Sequence, residues 1–483
     1  MSTVRRSAFR NFLSLKQGEG TPAAHLFLLF FVSSMGSCLG LSTGESLFIR
    51  HFGIAQVPLM FLITSVVVTL VSLWIGQLGS SRTLSFLIRT VYLLFLSLLA
   101  VSIVVMFLFP DWPWIYVFVF VAAYTSLANL KGLAVKLSEE IFDIRQMKRL
   151  FAPISAGAVL GMAVGGFGTG FFLKWVHDSR YLVVIWFVCA AVSFALSFRI
   201  LKRFVIPAPA PGETGKFFSR FFSGFTHLGE SKLLLGVSIL SFLTAFLVLH
   251  YDFLYMFAVR KVYKDPEEIT RIFGLVRGFS TLATFVLQIA VTPILIRLMG
   301  ITQTLLFLPG VFFASFLLLL SHFGMANVFV GRYGYYIAKE ALFFPSFQPL
   351  LNALSEKIRK QAVFFVNNAV ASIGSITGGI FLITVVKTGA LTPKVSAGIS
   401  VFLASAFLVL AIFLRKIYLR ELVQNIQEQS PRQLDLIEAL KKARSGSAPE
   451  LLLPFLKRDD LESILFALEF LKDHRTPEVR REI

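Results

Sequence analysis

The chain has 483 residues, 56% of them hydrophobic and only 15% charged, with a mean hydropathy of +0.76. A soluble globular chain is about 45–50% apolar and about 25% charged, so a water-soluble single-domain enzyme is excluded. The formal charge of +19 is unevenly spread, with +21 in residues 1–420 and −2 in the last 63, as expected of a polytopic membrane protein followed by a small soluble module.

A helix rises ~1.5 Å per residue and a bilayer core is ~30 Å thick, so each span needs about 20 mostly apolar residues. Arg5, Arg6, Arg10 and Lys16 precede the first apolar run. Eleven more runs follow it, so it reads as a first span and not as a cleaved signal. The expected spans are 24–49, 55–77, 84–108, 113–138, 153–175 and 181–201, then 233–258, 270–298, 302–320, 325–350, 362–386 and 393–415. The run VYLLFLSLLAVSIVVMFLF (91–109) has no dyad alternation, which excludes a β-barrel span there. The segment 202–232 divides the spans six and six and is rich in proline and basic residues, as a linker between half-domains should be. With the N-terminus inside, the inner segments hold 18 Lys and Arg and the outer loops 6, so both termini are predicted to be cytoplasmic. In a membrane chain the basic excess is assigned first to inner loops and anionic lipid, and not to nucleic acid, although an anionic substrate can also use part of it.

The two sets of six spans match at two places. Glu45-Ser-Leu47-Phe48 in span 1 parallels Asp252-Phe-Leu254-Tyr255 in span 7. LSEEIFDIRQMKRLFAPISAGAVLGMAVGG (137–166) parallels LSEKIRKQAVFFVNNAVASIGSITGG (354–379). Two matches in the same order at nearly one spacing predict an all-α fold of two parallel six-helix repeats, the pattern of the major facilitator fold.

The segment FDIRQMKRLFAPISAGAVLGMAVGG (142–166) resembles the family of ATP/ADP translocase-like nucleotide transporters, a branch of the major facilitator superfamily. The match rests on Asp143, Arg145, Lys148, Arg149, Leu150 and Phe151, which enter a fifth span carrying Gly157, Gly161, Gly165 and Gly166. The segments 46–61 and 251–274 look similar too, and the resemblance covers about residues 25–416. It implies secondary transport of nucleotides, such as exchange of ATP for ADP, in a bacterial inner (plasma) membrane.

Ionisable groups inside spans cost ~2.5–3.5 kcal/mol at a helix centre, so each needs a partner, a wet cavity or an anionic ligand. In span 10, Arg332, Tyr336 and Lys339 fall at i, i+4 and i+7 on one helical face, where Arg332 and Lys339 suit phosphate and Tyr335 or Tyr336 suits a base. Pairing of Lys339 with Glu340 is the alternative. Span 4 supplies Asn129 and Lys131 as further candidate contacts, with Lys131 and Lys136 equally placed to snorkel to the interface. Asn367 and Asn368 can line the cavity from span 11, or serve as helix–helix hydrogen bonds, as His250 and Gln288 do.

Glu45 and Asp252 can close an outer gate with Arg50, Arg260 or Arg277, carry a coupling proton, or form ordinary salt bridges. Asp143, Arg145 and Arg149 belong to a mixed-charge cluster that suits gating on the inner face. Gly36, Gly40 and Gly44, like Gly157, Gly161 and Gly165, read as close-packing positions. Cys38 and Cys189 show no disulfide or metal-ligand pattern.

GETGK (212–216) lacks the first glycine and the final Ser or Thr of a P-loop, and no hydrolase elbow or zinc spacing exists. No enzyme activity, cofactor or metal is therefore expected. After residue 420 the pattern changes to short amphipathic helices, and Ala448-Pro449-Glu450 recurs as Thr476-Pro477-Glu478, which resembles HEAT-like repeats broken off at Ile483. The tail can bind a protein partner, which leaves a membrane-anchored interaction or sensory protein as the alternative to a nucleotide transporter. A carrier for another solute is the third reading.

The basic bias yields a topological prediction. Cysteines introduced next to Pro110 and next to Lys216 should be labelled by an impermeant reagent from outside only at the former; the reverse pattern overturns the orientation.

Overall fold

The computed structural model describes residues 19–205, 228–229, 231–351, 354, 359, 362–363, 365–388 and 393–429; of residues 144, 145, 148, 393, 394 and 419–429 only the backbone is described. Most of the expected linker, and the HEAT-like segment from residue 430 on, lie outside these residues. The bundle through Arg415 belongs to one compact unit, and a second unit takes in the chain from Lys416.

Among the described residues, eleven helices are long and apolar enough to cross a membrane. They are α1 (Gly20–Phe52), α2 (Ile54–Ser81), α3 (Leu84–Leu108), α4 (Trp114–Ile141), α5 (Ile144–Val176) and α6 (Arg180–Phe204), followed after the central break by α7 (Lys232–Val262), α8 (Pro266–Ala290) and α9 (Ile301–Ser321). The tenth span is interrupted: α10 (Met325–Ile337) runs into a π-helical turn, Ala338–Phe343, and then a short helix, Phe344–Leu351. Next come α11 (Phe365–Lys387) and α12 (Pro393–Gln429). Eleven of the twelve expected spans are thus matched by helices of membrane length, and the tenth is a composite of shorter pieces.

Local chemistry sets the helix ends. Thr83, Ser231 and Asp265 cap α3, α7 and α8 by accepting from backbone N–H groups three residues on. Asp143 and Gln146 form a reciprocal capping box at the start of α5. Gly53, at φ 78°, turns the chain out of α1 in a conformation that side-chain-bearing residues avoid. Span 8 is broken after Ala290, because Pro293 lacks an N–H and clashes with the carbonyl four residues back, and helix resumes over Thr292–Met299. The Thr292 hydroxyl donates to Leu287 O at 3.2 Å and Ala341 O at 2.8 Å, partnering carbonyls near the break. Helix α12 continues well past the expected end of its span.

Glycines decide which helices meet. A Cβ on Gly157, Gly161 or Gly165 of α5 would strike the backbone carbonyls of Phe27, Phe31 or Met35 on α1. Gly36 and Gly40 of α1 lie against Trp186 and Cys189 of α6. The second half repeats this contact, since Gly374 of α11 lies on Phe242 O of α7. Two further contacts join the halves: Gly166 of α5 touches Gly274 and Gly278 of α8, and Gly379 of α11 touches Leu62 of α2. Gly166 and Gly379 are equivalent positions of the repeated sequence, so the halves meet through two related helix pairs.

Gly161→Leu and Gly166→Leu should each lower the thermal unfolding midpoint of the detergent-solubilised protein, by more than the ~1–3 kcal/mol of ordinary overpacking because backbone must move. Gly398→Ala, where a Cβ meets nothing within 4 Å, is the control and should be neutral or stabilising. Equal midpoints for all three variants would mean that the close approaches carry no stability.

Candidate functional site

From Ser33 to Ile49, α1 is buried almost without a break, and Glu45 within it is 1% exposed. A carboxylate there needs cations and donors to replace water. Arg277 of α8 supplies the cation at 2.5 Å, and its Nη1 also donates to Ser42 Oγ at 3.1 Å. Tyr124 of α4 donates its hydroxyl to Glu45 Oε1 at 2.7 Å. The ion pair therefore ties a helix of the first six spans to one of the last six. Beside it, Ser46 donates to Pro266 O at 2.7 Å, and Ser179 donates to Glu267 Oε1 at 3.3 Å. These cross-half bonds lie where α1 ends and α8 begins, away from the end where the described chain starts. In the turn before α6, burial alone would raise the Asp178 carboxyl, but the Arg180 side chain and backbone N–H outweigh it and hold the group below the ordinary carboxylate range.

The second half presents a related cluster. Asp252 of α7 accepts the Tyr335 hydroxyl and forms an ion pair with Arg332, whose Nε lies at 3.3 Å, both partners coming from α10. Glu45 and Asp252 are 207 positions apart and Tyr124 and Tyr335 are 211 apart, so the tyrosine–carboxylate bond recurs with the repeat. Arg332 is 7% exposed and sits over the rings of Tyr255, Tyr335 and Tyr336 at 5.5, 5.0 and 5.3 Å. Its Nε and Nη1 have no hydrogen-bond partner among the described residues.

A cavity of about 540 Å³ lies between the halves, walled by α2, α4, α7, the interrupted tenth span and α11. Tyr124, Asp252 and Lys339 line the end nearest Glu45, and Ser72, Phe347 and Asn367 lie on its walls. From Asp252 to Ser241 it extends along α7 for ~16 Å at ~1.5 Å per residue. Hydroxyls and amides dominate the polar wall, including Thr64, Ser65, Thr69, Thr244, Ser372 and Asn368. Thr69 donates to Ser372 across the halves at 2.7 Å. Both π-helical turns contribute: Lys339 and Phe343 come from the first, and Asn367 and Asn368 from the second, Phe365–Val370.

The structure brings Arg332, Tyr336 and Lys339 together, with the two cations 5.3 and 5.6 Å from the Tyr336 ring centre. Of the three, Lys339 lines the cavity, and it also pairs with Glu340 at 3.0 Å. Arg332 stands behind Asp252 of α7, which covers it together with the ring of Tyr255. Asn367 lines the cavity, whereas Asn129 is used within the first half, accepting from Ser72 at 2.9 Å and donating to Thr125 O. Lys131 is exposed and is not among the cavity-lining residues. Asp143 caps α5, and the side chain of Arg145 lies outside the described residues. Arg149 pairs at 2.5 Å with Glu19, at the start of α1, which sequence reasoning had not singled out. His250 is spanned by Ser396 and Ser400 of α12 at 2.6 and 3.1 Å, a core histidine.

No protein-family model matches the sequence, and no curated protein sequence matches it either. The chain is similar in structure to a variant of the nucleoside transporter NupG, with a TM-score of 0.62 at 16% identity over 82% of this chain and 99% of that one. A D-xylose-proton symporter gives 0.58 at 15% identity over 82% and 97%. The human organic anion transporter MFSD10 gives 0.57 at 14% identity over 82% and 100%. At these identities the likeness is one of fold, the major facilitator-like arrangement of two six-helix halves.

The Glu45–Arg277 pair makes a stability prediction. Glu45→Gln or Arg277→Gln alone leaves one buried charge unpaired and should cost about 3–5 kcal/mol, while the double variant should recover most of it. A thermal-unfolding double-mutant cycle in detergent reads the coupling, and additive losses would mean that the two side chains act independently.

Proposed function

We propose that the protein is a secondary transporter that moves a nucleotide or a related organic anion by alternating access, by exchange or by ion coupling. The observation that carries this reading is the cavity between the halves, lined by a lysine and a carboxylate, with a cross-half ion pair next to it. Among the described residues lining the cavity, Lys339 is the lone Lys or Arg, and Asp252 the lone carboxylate. Phosphate oxygens can compete with Glu340 for the ammonium of Lys339, while Tyr124, Phe61 and Phe344 offer ring faces to a base and the hydroxyl wall offers hydrogen bonds to a sugar. Structural likeness to proteins described as transporters of nucleosides and of organic anions supports the same class of solute.

Breaking the Glu45–Arg277 pair opens the end near α8, and α5–α8 and α11–α2 are the contacts over which the halves would rock. Glu45 and Arg277 thus serve as the latch of one state, and Asp252 as the carboxylate that faces the solute.

Uptake of labelled ATP into proteoliposomes, with and without nucleotide inside, tests the reading. Accumulation dependent on internal nucleotide is the expected result of exchange, and no uptake of any nucleotide overturns the substrate class. Lys339→Gln should raise the apparent Kd at least ~tenfold, equivalent to ~1.4 kcal/mol. Glu340→Gln should leave affinity intact or improve it. If both variants instead destabilise the protein equally and bind ATP normally, the Lys339–Glu340 pair is structural.

A further inference from the structure

A second cavity, of about 520 Å³, lies between α9 and α12, with no residue in common with the central one. Its character changes along its length. At one end stand Thr302, Gln303 and Arg415. With the Gln303 amide oriented to satisfy both neighbours, its nitrogen donates to Met299 O at 2.9 Å and its oxygen accepts from Arg415 Nη1 at 3.0 Å. A guanidinium carries five N–H donors, so the exposed Arg415 keeps others for a ligand. Beyond this end the walls are apolar, formed by Gly310, Val311 and Ala314 of α9 and by Ala411 and Ile412 of α12. A Cβ on Gly310 would meet nothing within 4 Å, so the space there is open. Neighbouring Phe307, Leu317 and Ile412 are 37%, 47% and 52% exposed, as side chains facing hydrocarbon are.

From Gln303 to Ala314 the groove follows α9 for ~16 Å at ~1.5 Å per residue. That is about half of the ~30 Å hydrocarbon core, the depth of one leaflet. Arg415 stands near the end of the span Val395–Tyr418, so the polar end lies at the membrane surface. We propose that this groove binds one anionic phospholipid, its head-group phosphate on Arg415 and one acyl chain along Gly310, Val311 and Ala314. Among the described lining residues no acid offsets Arg415, so a head group with net negative charge is favoured over one that carries its own ammonium. In the first half, a cavity of about 650 Å³ in the corresponding place includes Glu139 and Glu140 beside Arg82, Lys136 and Lys202, and these acids oppose an anionic head group there.

Native mass spectrometry of the delipidated full chain in detergent tests the proposal, with phosphatidylglycerol, phosphatidylcholine of the same acyl chains, and glycerol phosphate as probes. Phosphatidylglycerol should bind at least ~tenfold more tightly than phosphatidylcholine. Arg415→Gln should remove that preference, Arg415→Lys should keep it, and Gly310→Leu should weaken both lipids by filling the groove. Arg82→Gln should change nothing. Thermal midpoints taken in parallel ensure that folded variants are compared. Equal binding of the two lipids, or a preference that survives Arg415→Gln, overturns the proposal. Glycerol phosphate binding as tightly as the lipid would make this a free-phosphate site, and a dimer that excludes lipid would make it an interface between copies; either result also overturns it.

Discussion

A charge in a hydrocarbon environment must be met by an opposite charge or by donors, and this requirement organises the bundle around Glu45 and Asp252. Each carboxylate takes a tyrosine hydroxyl and an arginine. To make these bonds, α1 must lie against α4 and α8, and α7 against α10. The glycines of α5 and α11 then let those two helices close on α1 and α7. Removing the charges would leave apolar helices with many ways to pack, whereas the polar pairs fix one register.

The two clusters are related but not equal. The carboxylate of the second half finds its arginine on α10, in its own half. That of the first half finds it on α8, in the other half. Matching Gly274 with Leu62, which occupy the two cross-half contacts, places Ser65 at the position equivalent to Arg277. So a near-symmetrical scaffold carries one charge bond that crosses between halves and one that does not. The uncrossed pair borders the cavity, with the Asp252 side chain 21% exposed, while in the crossed pair the Glu45 side chain is fully buried. This division separates a carboxylate that borders the cavity from one that ties the halves together.

The spans and the repeat were legible because both rest on patterns that survive in one sequence: apolar runs of membrane length, and the Gly-Gly pair that ends each repeat match. Arg277 was visible as one of three arginines available to the carboxylates, but which of them pairs with Glu45 depends on how the halves dock, which no local spacing encodes. Arg332 was expected on an open face, and the structure instead covers it with Asp252 and three tyrosines. Two of these groups, Asp252 and Tyr255, come from α7, and which helix packs on that face is not encoded in the spacing of span 10 itself. An extra residue in a helical turn has no compositional signal, yet two such turns carry Lys339, Asn367 and Asn368 to the cavity. Glu19 was missed for a simpler reason: it precedes the apolar run and reads as loop until its bond to Arg149 is seen.

The glycine contacts also bear on how freely this sequence can drift. A lipid-facing position such as Val101 or Phe402, 59% and 73% exposed, accepts any apolar side chain at little cost. The fold itself is shared at 16% identity, so most positions are free in this sense. At Gly161, Gly166 and Gly274 the situation is reversed, because the first atom of any side chain would fall on backbone or packed atoms of another helix. Compensation there would need a second change that moves a whole helix. Substitutions should therefore accumulate last at these few positions, and variants of this chain in nature should be recognisable by them when little else has been retained.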